Sequence, residues 1–226
     1  MTYLDRNRAA WHAIAAAALP GDTTQSSVRF EWTQFPGLGP GIEILGDLRG
    51  RRVLELGCGN GDNTTALHAA GAHCTGLDAA PAQIARARRR WPDPGFHWVC
   101  SDAISFLRQT SIMFDCIASV FGAVDLAPPH LLLPLVARRL APGGILAFAT
   151  AAPNWLGPKA SHLTTPDGVQ RPIVRWTMPP SMWIAHLAAA GLRLKVITIA
   201  KDTEGTPCTY VLVATKPPGH FGAAPR

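Results

Sequence analysis

The sequence predicts an α/β fold built on a doubly wound parallel sheet. Three observations predict it: short apolar runs alternate with helix-like segments from Arg52 onward, a glycine-rich turn follows the first run, and Asp78 ends the second. With 226 residues, 47% of them apolar, the chain can close one sizeable domain and has length left for a small cap.

Taken in order, residues 1–20 read as a helix that Asp5 can cap and Pro20-Gly21 ends. Residues 21–40 are polar, then aromatic, and are broken by Pro36, Gly37, Gly39 and Pro40. Together 1–40 form an expected helix-and-loop cap. Strands are expected at 53–56, 74–77, 96–100, 116–120 and 145–149. The helices between them span 62–70, 81–91 and 128–140, and Pro81 stands where a first-turn proline costs nothing. A Pro-, Trp- and His-rich stretch, 151–180, reads as irregular. A helix over 182–190 precedes an antiparallel hairpin of 192–200 and 209–215, so the main domain is expected over 41–216. Residues 217–226 read as a frayed tail.

Composition narrows the function. No apolar run is long enough to span a bilayer, which needs roughly 20 residues, and Ala9–Leu19, interrupted by His12, reads better as a capping helix than as a secretory signal. The five cysteines show no ligand spacing, which fits free thiols in a cytoplasmic protein rather than zinc. Much of the net charge of +6 comes from Arg86, Arg88, Arg89 and Arg90. Such a run reads as a solvated helix face, making nucleic acid an unlikely partner.

The chemistry concentrates at Glu55-Leu56-Gly57-Cys58-Gly59-Asn60-Gly61, between the first strand and its helix. Glycines there let the main chain turn tightly and approach a ligand, and in a doubly wound sheet that turn lies at the switch point where ligands bind. The dinucleotide fingerprint needs a further glycine where this chain has Asp62, and an acidic residue at the helix entry is a poor neighbour for pyrophosphate. The ligand is therefore expected to be adenosine-like and phosphate-free at that point. Asp78, roughly 20 residues beyond Gly57, can accept from both ribose hydroxyls, in charge-assisted bonds worth roughly 1.5–3 kcal/mol each. Ser101-Asp102-Ala103 follows the third strand, where an Asp can meet an adenine amino group. Ser119-Val120-Phe121 ends the fourth strand, beside the glycine turn.

On these residues the chain resembles the class I S-adenosylmethionine-dependent methyltransferases over about residues 40–216. VLELGCGNG and TGLDAAPAQI are similar to that family's first two motifs, and CSDA, FDCIASVFGAV and LAPGGILAFAT to its later ones. The resemblance implies a Rossmann-like seven-stranded sheet whose last strand is antiparallel, and S-adenosyl-L-methionine as cofactor. It implies that Gly57, Cys58, Gly59, Asn60 and Gly61 pack on the methionine part, whose amino group Glu55 orients. Asp78 would hold the ribose, with Ala79 and Gln83 lining it. Ser101, Asp102 and Ala103 would frame the adenine, with Ser119 and Val120 closing the crevice.

For the methyl acceptor, the N-terminal segment, the end of the fourth strand and the 151–180 stretch supply candidates. Tyr3, Trp11, Trp32, Trp155 and Trp176 are expected in a substrate pocket, while His12, His130, His162 and Asp125 are the candidate acid–base groups. The resemblance also argues against some subclasses: Ser119-Val120-Phe121-Gly122 stands where amide-nitrogen methylases of bases carry Asn/Asp-Pro-Pro-aromatic, and no Pro-Cys pair follows. Ser119 also replaces the acidic ligand of metal-dependent catechol-type enzymes, so no metal is expected. The expected function is methyl transfer to O, N or C of a small molecule, of the kind found in specialised metabolism, by a monomer or homodimer. An RNA methyltransferase, favoured by the basic balance alone, and a non-catalytic cofactor-binding scaffold are the alternatives.

Overall fold

The fold is given by a computed structural model that describes residues 2–18, 28–152, 157–202 and 204–218, with 157–160 described in their backbone alone. Five strands pair in parallel: β1 (Arg52–Leu56), β2 (His73–Asp78), β3 (His97–Cys100), β4 (Phe114–Val120) and β5 (Leu140–Ala151). β8 (Arg193–Lys201) and β9 (Pro207–Thr215) extend the sheet, giving the order β3-β2-β1-β4-β5-β9-β8. β9 runs against both β5 and β8, so it is the reversed strand, as the resemblance implied. The chain steps outward from β1 to β3 and then returns to lay β4 beside β1. That reversal puts the switch point at the carboxyl ends of β1 and β4.

Six helices join the strands: α2 (Asp62–Ala69), α3 (Pro81–Arg90), α4 (Ala103–Gln109), α5 (Ala123–Leu126), α6 (Pro129–Arg139) and α7 (Pro180–Ala189). β1 shows why the sheet is covered twice. Leu54 and Leu56 enter one core with Phe114, Leu132, Phe148 and Trp183, while Val53 enters another with Leu67, Cys74 and Leu45. Buried apolar side chains on both faces need cover on both faces.

Two expectations are corrected at the cap. The helix α1 (Tyr3–Ala16) is capped by Thr2 and not by Asp5. Asp5 sits at the third position and returns the bond, its carboxylate accepting from the Thr2 amide at 2.9 Å while Thr2 Oγ1 accepts from its own amide at 3.2 Å. The helix closes at Ala16, ahead of Pro20-Gly21, which lie outside the described residues. The stretch read as irregular also contains an antiparallel ribbon, β6 (Gly157–Thr164) paired with β7 (Gln170–Thr177). Prolines at 158 and 172 hid it, because proline weakens any strand reading.

A two-stranded ribbon is marginal alone, and α1 supplies its support through one buried side chain. Asn7 Nδ2 donates to the carbonyls of Val174 at 2.9 Å and Leu126 at 3.2 Å, and Asn7 Oδ1 accepts from the Val174 amide at 2.8 Å. Asn7→Ala strands these buried groups, so we expect a loss of about 1–3 kcal/mol in denaturant unfolding, with faster amide exchange at Val174.

Candidate active site

The turn after β1 is built by glycines with separate reasons. Gly57 (φ +81°) and Cys58 donate their amides to the Leu77 carbonyl at 2.7 and 2.9 Å, and a Cβ on Gly57 would stand 2.6 Å from the Gly122 Cα. Gly59 (φ +54°) donates to Asp78 Oδ2 at 3.1 Å and would present any Cβ to open space. Gly61 starts α2, and its missing Cβ makes room for the Trp98 ring, which would otherwise lie 2.5 Å away. Gly57, Gly59 and Asn60 line a cavity of about 680 Å³; Gly61 backs the turn from behind.

Asp78 projects from the end of β2 into this cavity, its second oxygen accepting from the Ala80 amide at 2.8 Å. Burial pushes its carboxyl up, against the pull of the Ala80 and Gly59 amides. Glu55, on β1, is buried and accepts from the Thr64 hydroxyl. Burial drives its pKa up to about 8, opposed by Thr64 and reinforced by the charges of Asp78 and Asp62. Asp62 is balanced from α3, where Arg90 Nε donates to Asp62 Oδ1 at 2.7 Å and the guanidinium lies 5.4 Å from the Trp91 ring centre. The arginine run is thus not a wholly solvated face: Arg90 is buried, and Arg88 donates to the Trp98 carbonyl. Cys58, whose thiol burial holds well above its ordinary range, is inert filler of the wall.

Ala79 and Gln83 continue the lining beyond Asp78, and Ser101, Asp102 and Ala103 do so beyond β3. Asp102 also caps α4, accepting from the Ser105 amide at 2.9 Å. Val120 lines the cavity at the end of β4, whereas Ser119 is fully buried behind it. Across the crevice lies α1, turning Tyr3, Leu4, Asn7, Arg8 and Trp11 to the cavity. Their spacing is that of a single helix face, so the sequence carries a signal for Leu4, Asn7 and Arg8 as well as for the expected Tyr3 and Trp11. Glu31, also in the wall, had no such signal, whereas Phe121 was marked by its place at the end of β4 beside the glycine turn.

Several expected site residues lie elsewhere. His12, His130 and His162 are exposed and outside the cavity wall; the His12 ring instead accepts from the Ala82 amide at 3.4 Å. Asp125 is fully buried, accepting from Arg175 at 2.6 Å and from the Thr150 hydroxyl at 2.9 Å, so it anchors β7 to the sheet rather than facing the cavity. Trp32 is a core residue, 4.6 Å from the Phe30 ring and donating to the Gly41 carbonyl. Trp176 packs edge-on behind Tyr3 at 5.0 Å. Trp155 lies outside the described residues.

Residues 53–144 match the family model of a methyltransferase domain. A ubiquinone biosynthesis O-methyltransferase of Maricaulis maris is 34% identical over 196 residues, covering 75% of this chain and 73% of that protein. The chain belongs to the S-adenosylmethionine-dependent methyltransferases. A second such relative, from Bordetella avium, is 28% identical over 129 residues, and there the match spans 56% of this chain and half the relative's length. The fold of this methyltransferase is also that of an S-adenosylmethionine-dependent methyltransferase from Mesorhizobium loti. That structure superposes with a TM-score of 0.61 at 20% identity, over 76% of this chain and 94% of the other.

Glu55 gives the free methyltransferase a pH signature. Between its ordinary pKa near 4.5 and its folded value near 8, the folded state holds a proton that the unfolded chain has released. Stability therefore falls as pH rises through that window, by at most about 1.4 kcal/mol per unit. Urea unfolding at pH 5.5 and 8.0 is expected to show this slope, and Glu55→Gln to flatten it.

Proposed function

We propose that this methyltransferase moves the methyl group of S-adenosylmethionine to O, N or C of a small molecule, without a metal. The observation that carries the reading is one continuous cavity of about 680 Å³, running from the Asp78 and Asp102 side to the end of β4 beneath α1. Its size is that of a small-molecule site. The names of both relatives, O-methyltransferases of ubiquinone biosynthesis, favour oxygen as the acceptor atom.

Two features support the cofactor's fit. Among the described residues a Cβ at Gly59 would meet nothing within 4 Å, leaving the bare main chain open to the ligand, and the buried Gln83 Oε1 has no hydrogen-bond partner. In this reading Gly57, Gly59 and Asn60 lie along the amino-acid end, with Glu55 beneath its amino group. Asp78 accepts from the ribose hydroxyls, Ala79 and Gln83 flank the sugar, and Asp102 and Ala103 border the base. The cofactor supplies an electrophilic methyl group on a positively charged sulfur. The chain's own part is to place the acceptor and keep water out. Leu4, Trp11, Leu126 and Ala127 provide an apolar wall for this, and placement alone can be worth about 7–11 kcal/mol.

The same reading puts the protein in a reducing compartment such as the cytoplasm, because its five cysteines are free. Among the described residues no helix is long and apolar enough to cross a membrane.

Calorimetric titration with S-adenosylhomocysteine tests the cofactor half: wild type is expected to bind, and Asp78→Asn to bind at least about tenfold more weakly for the loss of a charged acceptor. Incubation with labelled S-adenosylmethionine and cell extract tests the acceptor half. Label in a small organic product is expected; label confined to RNA or protein would overturn the reading.

A further inference from the structure

Among the described residues Phe121 is the one non-glycine residue with a positive φ, +47°. It follows β4 directly, at the seam where the turns after β1 and β4 meet, and neighbours on both sides fix its bend. A Cβ on Gly122 would stand 2.3 Å from the Leu56 carbonyl oxygen, so the next residue is pressed against β1. On the other side the Phe121 amide donates to the Ala149 carbonyl at 3.0 Å, continuing the ladder to β5. The buried Ser119 ties the same corner, its hydroxyl donating to the Leu56 carbonyl at 2.9 Å and accepting from the Val124 amide at 3.3 Å. This left-handed bend suits glycine or asparagine, and a bulky aromatic residue there is an outlier.

Among the described residues, Phe121 joins none of the hydrophobic core clusters, so core packing does not account for the bend. Phe106, also partly buried, packs on the core, whereas Phe121 lines the cavity. Backbone strain of this kind clusters at functional sites. Resting on the cavity reading above, we infer that Phe121 is a specificity-determining residue: the bend holds its ring between the cofactor end and the space under α1, against a planar, apolar part of the methyl acceptor. The position supports this: Asp78 and Asp102 line the cavity from the ends of β2 and β3, while Phe121 lines it past the end of β4, where Leu126 and, from α1, Leu4 and Trp11 complete an apolar surface. An aromatic face stacks on a planar ring and sheds water from it.

Three variants, Phe121→Gly, Phe121→Ala and Phe121→Leu, separate the bend from the ring. Both Gly and Ala remove the ring, but only Gly relieves the bend, so Phe121→Gly is expected to melt about 2–4 °C above Phe121→Ala, the reverse of their usual order. All three are expected to bind S-adenosylhomocysteine within about threefold of wild type, since the carboxylates assigned to the sugar and base, Asp78 and Asp102, are left in place. With labelled S-adenosylmethionine and a panel of planar phenols, anilines and aromatic acids, wild type is expected to methylate at least one. For that acceptor KM should rise about tenfold or more in Phe121→Ala, and less in Phe121→Leu, with kcat less affected. A Phe121→Ala protein that melts at or above Phe121→Gly, or that keeps the wild-type KM, overturns the inference while the cavity reading stands. Wild type that binds S-adenosylhomocysteine but methylates nothing planar overturns it too. Wild type that fails to bind S-adenosylhomocysteine overturns both.

Discussion

Two turns touch main chain to main chain at the carboxyl edge of the sheet, where neither Gly57 nor Gly122 has room for a side chain. A Cβ at either position would push β1 and β4 apart, or force the chain out of the bend that carries Gly59 and Phe121. That contact brings the end of β4 within the same cavity as Asp78, which stands one strand farther out, on β2. It is also a contact between main-chain atoms, so no flexible side-chain end can yield to a substitution.

The cap rests on the domain by side chains that imitate main chain. Asn63, on α2, accepts from the Glu31 amide at 3.0 Å and donates to the Glu31 carbonyl at 3.1 Å, and Asn7 satisfies both main-chain groups of Val174 in the same way. Each amide supplies one donor and one acceptor to a segment whose polar groups would otherwise be left unpaired. The buried Asp125–Arg175 pair adds a third attachment, joining the ribbon to the sheet through Thr150. The cap over the cavity is therefore held by specific hydrogen bonds as well as by the buried Phe30 and Trp32.

The floor of the cavity gathers three carboxyl groups, with Glu55, Asp62 and Asp78 near one another. The free protein tolerates this in three ways: Glu55 keeps its proton, Asp62 takes Arg90, and Asp78 takes two amides. A cationic ligand would find a site already arranged for positive charge, because preformed acceptors cost nothing to reorganise.

Much of this was legible beforehand because it is written in local chemistry. Alternating apolar runs and helical segments foretold the five parallel strands and the antiparallel hairpin of β8 and β9, and the glycine turn and Asp78 follow from spacing and residue type. The ribbon at 157–177 was hidden by its prolines, and Trp32 looked like a pocket residue because aromatic character alone does not say which side of a loop faces the core. His12, His130 and His162 suit acid–base work by residue type alone, yet each lies on the outside.

By itself the sequence determined the order along the chain of the seven main-sheet strands, the bend at the glycines and the carboxylate at the end of β2, since each depends on neighbours a few residues apart. Only the tertiary structure decided that Arg90 answers Asp62, that Asn7 carries the ribbon and that Phe121 is bent at the seam, because their partners are distant in the chain. Those contacts exist only once the sheet has closed and fixed the distances between them.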